Sequence, residues 1–268
     1  MNLALRVVSG AVLVGIAAGA LWVGVAGLAA LVAIGALVSA WEYSGLVRAV
    51  AVPPAWLLYP LTLWLALRFA FPAAYVSADW PLIAAVFAGL LALVTARAAF
   101  RRWGTALAGA VYIGFCLGFF IALYRWHAVD PDHFGLRLVG LTLLCVVAGD
   151  TVAYFAGTAI GRHRFFAAIS PRKTLEGAIA GAAASILLAT FAGPPLTGIS
   201  AAAGIGLGAL IAIAAQGGDL VESKLKRDAG VKDSSLLIPG HGGLLDRVDS
   251  LVLVAPVVYC YLKLIALA

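Results

Sequence analysis

Residues 219 to 250, DLVESKLKRDAGVKDSSLLIPGHGGLLDRVDS, hold 11 of the 30 charged side chains in a chain of 268 residues. Long apolar runs flank them on both sides. Asp219, Glu222, Ser223 and Lys226 are spaced i, i+3, i+4, i+7, so on a helix they share one face. Pro239-Gly240-His241-Gly242-Gly243 interrupts helical structure, and its glycines let backbone N–H groups approach a ligand. Asp246 and Asp249 then share a face at the start of the last apolar segment. Two acidic helix ends across a glycine-rich loop, with Lys224, Lys226, Arg227, Lys232 and Arg247 among them, suit a divalent metal and a polyphosphate. Hard carboxylate oxygens favour Mg²⁺, which takes one or two carboxylates plus phosphate oxygens. Asp219 and Asp246 are the expected metal ligands, with Asp249 and Asp150 as further candidates, and the number of cations stays open. For His241, phosphate contact and loop shaping both remain open.

A second constellation precedes this one. Asp150, Tyr154, Gly157 and Gly161 are spaced i, i+4, i+7, i+11, which places Asp150 and Tyr154 on one glycine-lined face. An ionisable residue inside an apolar span is costly and is a functional candidate by default. The alternative is that Asp150 is a structural partner to Lys or Arg, and that the glycines serve helix packing. Ser170-Pro171-Arg172-Lys173-Thr174-Leu175-Glu176-Gly177 begins a new segment. Its Lys173, Thr174 and Glu176 stand near a helix N-terminus, where phosphate binds readily. Lys173 and Glu176 as a solvated ion pair is the competing reading.

Ser223-x-Leu225-Lys226-Arg227, four residues, Lys232-Asp233, then Ile238-Pro239-x-His241-Gly242-Gly243-x-x-Asp246-Arg247-x-Asp249 resembles the signature of the phosphatidate cytidylyltransferase (CDP-diacylglycerol synthase) family. Asp150-x-x-Ala153-Tyr154 and Ser170-Pro171-x-Lys173-Thr174-x-Glu176-Gly177 resemble the segments that precede that signature. The specific likeness covers about residues 150–250, and the N-terminal half resembles the family by hydropathy alone. It implies transfer of CMP from CTP to phosphatidate, giving CDP-diacylglycerol and pyrophosphate, in a homodimer. Phosphatidate brings its own nucleophilic oxygen, so the protein must align, neutralise charge and stabilise the leaving group. Asp219, Lys226, Arg227, Asp246, Arg247 and Asp249 are the expected catalytic residues. Ser170, Lys173, Thr174, Glu176, Ser223, Lys232, His241, Gly242, Gly243, Asp150 and Tyr154 are the expected substrate-binding ones.

The elements that position these residues are membrane helices. The chain is 64% hydrophobic and 11% charged, with mean hydropathy +1.06, where a soluble domain carries roughly 25% charged residues. The expected fold is all-α and polytopic, with about nine spans near 7–21, 27–41, 54–72, 81–97, 104–124, 138–159, 177–193, 195–218 and 248–268. The first pair breaks between Leu21 and Gly27, and another break falls at Gly193-Pro194-Pro195. With the N-terminus inside, fourteen Lys and Arg lie on the cytoplasmic side, and Arg68, Arg125, Arg137 and Lys263 lie opposite. That bias is the positive-inside pattern. It places the polar site on the cytoplasmic face, and the resemblance implies a bacterial inner membrane. Residues 1–135 are read as N-terminal transmembrane helices and 136–268 as the catalytic region.

The net charge of +6 is explained by these loops and by anionic substrates, without nucleic acid. Cys116, Cys145 and Cys260 are read as buried hydrophobes. Trp41-Glu42-Tyr43 is read as interfacial anchoring, and His127, His133 and His163 are assigned no role. Two rival functions remain: a CTP-dependent lipid kinase, which would release CDP, and a transporter, which would place intramembrane acids in two matching halves.

Overall fold

The computed structural model describes residues 3–71, 80–95, 97–126 and 133–267, the side chains of 3–6, 93, 97 and 267 excepted. His127 and the Asp130-Pro131-Asp132 stretch lie outside the described residues. The helices are α1 (Leu3–Val23), α2 (Val25–Leu46), α3 (Ala55–Leu67), α4 (Trp80–Thr95), α5 (Arg97–Gly109), α6 (Cys116–Tyr124), α7 (Phe134–Ile160), α8 (Leu175–Thr197), α9 (Ala201–Asp228) and α10 (Leu245–Leu267). A π-helical turn, Ala110–Phe115, joins α5 to α6. No strand occurs among the described residues, only two isolated bridges.

Six helical stretches are long and apolar enough to cross a bilayer: Val25–Ala49, Ala98–Tyr124, Phe134–Ile160, Leu175–Thr197, Ala201–Asp228 and Leu245–Ala266. The protein is an integral membrane protein. Val7–Val23, Ala55–Leu67 and Trp80–Ala92 are shorter apolar helices. The 13 residues of α3 reach only about 20 Å at 1.5 Å per residue, against roughly 30 Å of hydrocarbon. Large apolar side chains such as Trp22, Val94, Phe191 and Ile213 point outward, as a lipid solvent requires.

The chain folds as two compact units, 1–122 with 225–248, and 123–224 with 249–268. In the first, α3 packs on the π-helical turn, where Leu58, Leu61, Leu65, Ala106, Ala110 and Ile113 are buried. A side chain at Gly114 would strike the Thr62 carbonyl, and one at Gly118 would lie 2.7 Å from the Leu65 carbonyl oxygen. Small residues let these backbones meet, which is how helices associate where lipid removes the hydrophobic drive.

The second unit uses the same device. A Cβ at Gly181 would lie 2.6 Å from the Gly149 carbonyl oxygen and 2.8 Å from the Ala153 Cβ. Gly157 and Gly177 approach each other beside Thr174, so Gly157 and Gly161 serve packing. Ser185 donates to the Cys145 carbonyl at 2.9 Å, and Gly204 and Gly208 of α9 abut the α8 backbone.

Two expected boundaries move. The first pair does break within 21–27, at Gly24, whose φ of 95° lies in the left-handed region. The second break falls later than Gly193-Pro194-Pro195: both prolines sit inside α8, which ends at Thr197 with Gly198 at φ 70°. Thr197 Oγ1 donates to the Gly193 carbonyl at 2.9 Å, and the Gly198 N–H to the Pro194 carbonyl at 2.9 Å. The last turn is therefore satisfied, and a glycine able to adopt positive φ ends the helix. Cys116 and Cys145 are buried, but Cys260 is exposed because it lies on an outward face of α10.

Gly181→Val should overpack the α7–α8 seam and cost on the order of 1–3 kcal/mol. It would be read as a lower thermal unfolding midpoint in detergent. Gly140→Ala on α7, with no atom within 4 Å of the new Cβ, should lower the midpoint by nothing. Equal midpoints for the two variants would refute this packing.

Candidate functional site

In the second unit, loop 161–174 carries Lys173 to the base of α8. The Phe165 N–H donates to the Lys173 carbonyl at 3.0 Å, the Leu175 N–H to the His163 carbonyl at 2.8 Å, and the Lys173 N–H to the Ser170 carbonyl at 3.2 Å. Ser170 thus opens the turn that leads into Lys173. Thr174 is buried as the N-cap of α8, where its hydroxyl oxygen accepts the Gly177 N–H at 3.2 Å. That bond fills an orphan donor of the first helical turn, so the Thr174 oxygen serves the helix.

Lys173 Nζ lies 2.7 Å from Asp219 Oδ2, and the Ser223 hydroxyl donates to Asp219 Oδ1 at 3.1 Å. Asp150 interacts with both Asp219 and Lys173, and with the Ser250 hydroxyl. Asp249 Oδ1 accepts the Ser250 N–H at 2.7 Å. Lys173, Asp219 and Ser223 are therefore brought together, with Asp150 close enough to feel the charges of both Lys173 and Asp219. Tyr154 stands one helical turn after Asp150 on α7 and, like it, is exposed; its ring meets Phe155 edge-on. Glu176 does not pair with Lys173; it lies 2.6 Å from His163 Nδ1. His163, given no role from sequence, is thus the partner of Glu176. Asp219 is not at a helix end, since α9 continues for more than two turns to Asp228.

The first unit holds the other half of the signature. Asp246, in the first turn of α10, has Lys226 Nζ 2.6 Å from Oδ1. Its Oδ2 accepts the Ser234 N–H at 2.9 Å, the Ser234 hydroxyl at 2.9 Å and the Gly243 N–H at 2.7 Å. Gly242, at φ 81°, leaves no room for a side chain, because a Cβ would lie 2.9 Å from Asp246 Oδ2. The Ile238 N–H donates to the Gly242 carbonyl at 2.8 Å, closing the Pro239-Gly240-His241 turn. Arg227 Nη1 donates to the Val231 carbonyl at 3.2 Å. Lys232, His241, Gly242 and Arg247 line a cleft of about 590 Å³, within the range of small-molecule sites. His241 Nδ1 also lies 2.8 Å from the Ser9 hydroxyl of α1.

The chain matches the model of the cytidylyltransferase family over residues 4–265. The chain belongs to this family. It is 35% identical over 250 residues to a phosphatidate cytidylyltransferase of Synechocystis sp., spanning 84% of each chain. The Bacillus subtilis protein of the same name is 36% identical over 189 residues, 67% of each chain. The chloroplastic phosphatidate cytidylyltransferase 5 of Arabidopsis thaliana is 33% identical over 258 residues, 85% of this chain and 64% of that one.

One residue of this cytidylyltransferase escaped the sequence reading. Glu42, taken with Trp41 and Tyr43 as an interfacial anchor, is 2% exposed and hydrogen-bonded to the signature loop. The signal was present: an acid at the end of 35 uncharged residues, Val7 to Trp41, standing inside a stretch able to span the bilayer. Its aromatic neighbours masked it, because belts of such residues are common at the interface.

Breaking one side of a buried ion pair costs about 3–5 kcal/mol, since the other charge is left uncompensated. Asp246→Asn should therefore lower the unfolding midpoint clearly, and adding Lys226→Met should restore part of the loss. Thermal unfolding of both purified variants checks this. An unchanged midpoint in Asp246→Asn would show that the pair contributes nothing.

Proposed function

We propose that this chain is a phosphatidate cytidylyltransferase that joins CMP from CTP to phosphatidate and releases pyrophosphate. The observation that carries the reading is the family match over nearly the whole chain, with signature residues Lys232, His241 and Arg247 lining one cleft. A phosphate oxygen of phosphatidate attacks the α-phosphorus of CTP, and the bond to the β-phosphate bridging oxygen breaks. Lys232 and Arg247 offer N–H donors to the phosphates as their charge redistributes. Lys226 and Arg227 act on the same region by holding Asp246 and the turn at Val231.

Mg²⁺ is part of this proposal. Asp219 and Asp246 each present a carboxylate oxygen to a lysine ammonium, at 2.7 and 2.6 Å. These hard, anionic donors already holding a cationic group fit such an ion. Substrate phosphate oxygens would complete its coordination. When bound, it would supply Lewis-acid polarisation of the α-phosphate and stabilise departing pyrophosphate.

The remaining elements of the proposal are a homodimer, a bacterial inner membrane location, nine spans including the three shorter helices, and a cytoplasmic site. The fourteen-to-four charge split supports the orientation.

Purified protein given CTP and phosphatidate should release pyrophosphate with no CDP. Excess chelator should abolish turnover and added Mg²⁺ restore it. CDP release would favour the lipid-kinase reading, and full turnover in metal-free chelator would exclude the ion. Independently, single cysteines at positions 162 and 232 should react with an impermeant thiol reagent from the cytoplasmic side only. Labelling of either from the opposite side would overturn the nine-span orientation.

A further inference from the structure

Glu42 is a carboxylate on a membrane helix, and such a group is costly unless it is fully matched. Each of its oxygens accepts one bond from either end of the signature loop. Oε1 takes the Ser235 hydroxyl at 2.6 Å and the Leu244 N–H at 2.9 Å. Oε2 takes the Leu245 N–H at 2.6 Å and shares the Ser234 hydroxyl, at 3.2 Å, with Asp246 Oδ2. The loop leaves α2 contact at Ser235, turns through Pro239-Gly240-His241-Gly242, and returns to the same carboxylate at Leu244. Leu244 and Leu245 open α10, whose first N–H groups have no partner within the helix and carry the positive end of its dipole. A carboxylate from another helix is the right group for them.

Gly243 gives independent support. A Cβ there would lie 2.5 Å from Glu42 Oε1 and would also strike the Ser234 hydroxyl. The residue is a glycine because Glu42 and Ser234 fill the place of its side chain, although its φ is not in the left-handed region. The approach of the Glu42 carboxylate is thus built into the signature from the other side.

We infer that Glu42 is a positioning residue for the nucleotide-transfer site, closing both ends of loop 234–245 so that Lys232, His241 and Arg247 keep the shape of their cleft. The inference rests on the proposed reaction only for its kinetic consequence. Gln at this position keeps the size but turns an NH₂ group toward the Leu244 or Leu245 N–H, donor against donor. Asp keeps the charge and shortens the reach.

The test is hydrogen–deuterium exchange on the full-length protein in detergent, read beside steady-state kinetics. Glu42→Gln should speed uptake in peptides spanning 234–246 on the order of tenfold, with α7 and α8 peptides unchanged. Turnover should fall by a similar factor and KM for CTP should rise. Glu42→Asp should recover part of both. If Glu42→Gln does not fold, Glu42→Asp carries the test: its shorter reach weakens the bonds to both ends of the loop and should show the same local uptake to a lesser degree. Unchanged uptake across 234–246 in whichever variant folds would overturn the inference, as would an increase spread evenly over all helices. If the wild type makes no CDP-diacylglycerol, the proposed reaction fails instead, and the exchange result still decides the role of Glu42.

Discussion

In a chain that is 64% hydrophobic, a carboxylate needs donors from the protein itself, and Asp246 shows how much structure that requirement sets. Its side chain is 4% exposed, so water cannot supply the missing bonds. One oxygen is met by Lys226 near the end of α9, and the other by three donors from Ser234 and Gly243. A single group therefore fixes the end of one helix, the start of the next and the loop between. Removing water strengthens each of these bonds and raises the cost of any left unmade. The loop holds its form because the acid has nowhere else to find partners.

The glycine-rich seams make this precision possible on the other unit. Lys173 can reach Asp219 because α8 starts where it does, capped by Thr174 and pressed against Gly157 and Gly161. A larger residue at Gly177 would push the helix start away from α7 and move Lys173 with it. Packing in lipid depends on close backbone approach, so small residues far from any phosphate still govern where a cation stands.

The sequence made the fold class and the order of helices legible because a 20-residue apolar run has few other uses. It located the break at Gly24 within a few residues, but misplaced the one near Pro194. A proline past the first turn costs a helix the bond to the carbonyl four residues before it; α8 carries Pro194 and Pro195 all the same and ends at Thr197, where Gly198 takes positive φ. Spacing also grouped Asp219 with Ser223, one helical turn apart, and that pair forms. It could not connect Glu42 with Leu244, since 202 positions separate them and no periodicity spans such a gap.

A motif with about a dozen fixed positions invites the view that each residue acts on substrate. Here Gly242 and Gly243 are glycines because the Asp246 and Glu42 carboxylates occupy the space of a side chain. Arg227 closes a turn on the Val231 carbonyl, and Lys226 answers Asp246. Lys232, His241 and Arg247 are among the signature residues that line the cleft. His241 does both, lining it while held at Nδ1 by Ser9. Phosphate chemistry needs cations placed to within a fraction of an ångström, and a loop between two membrane helices has no core of its own to supply that. The residues that hold it must therefore come from the loop itself and from neighbouring helices. A signature of this kind is dense because it records the support as well as the chemistry.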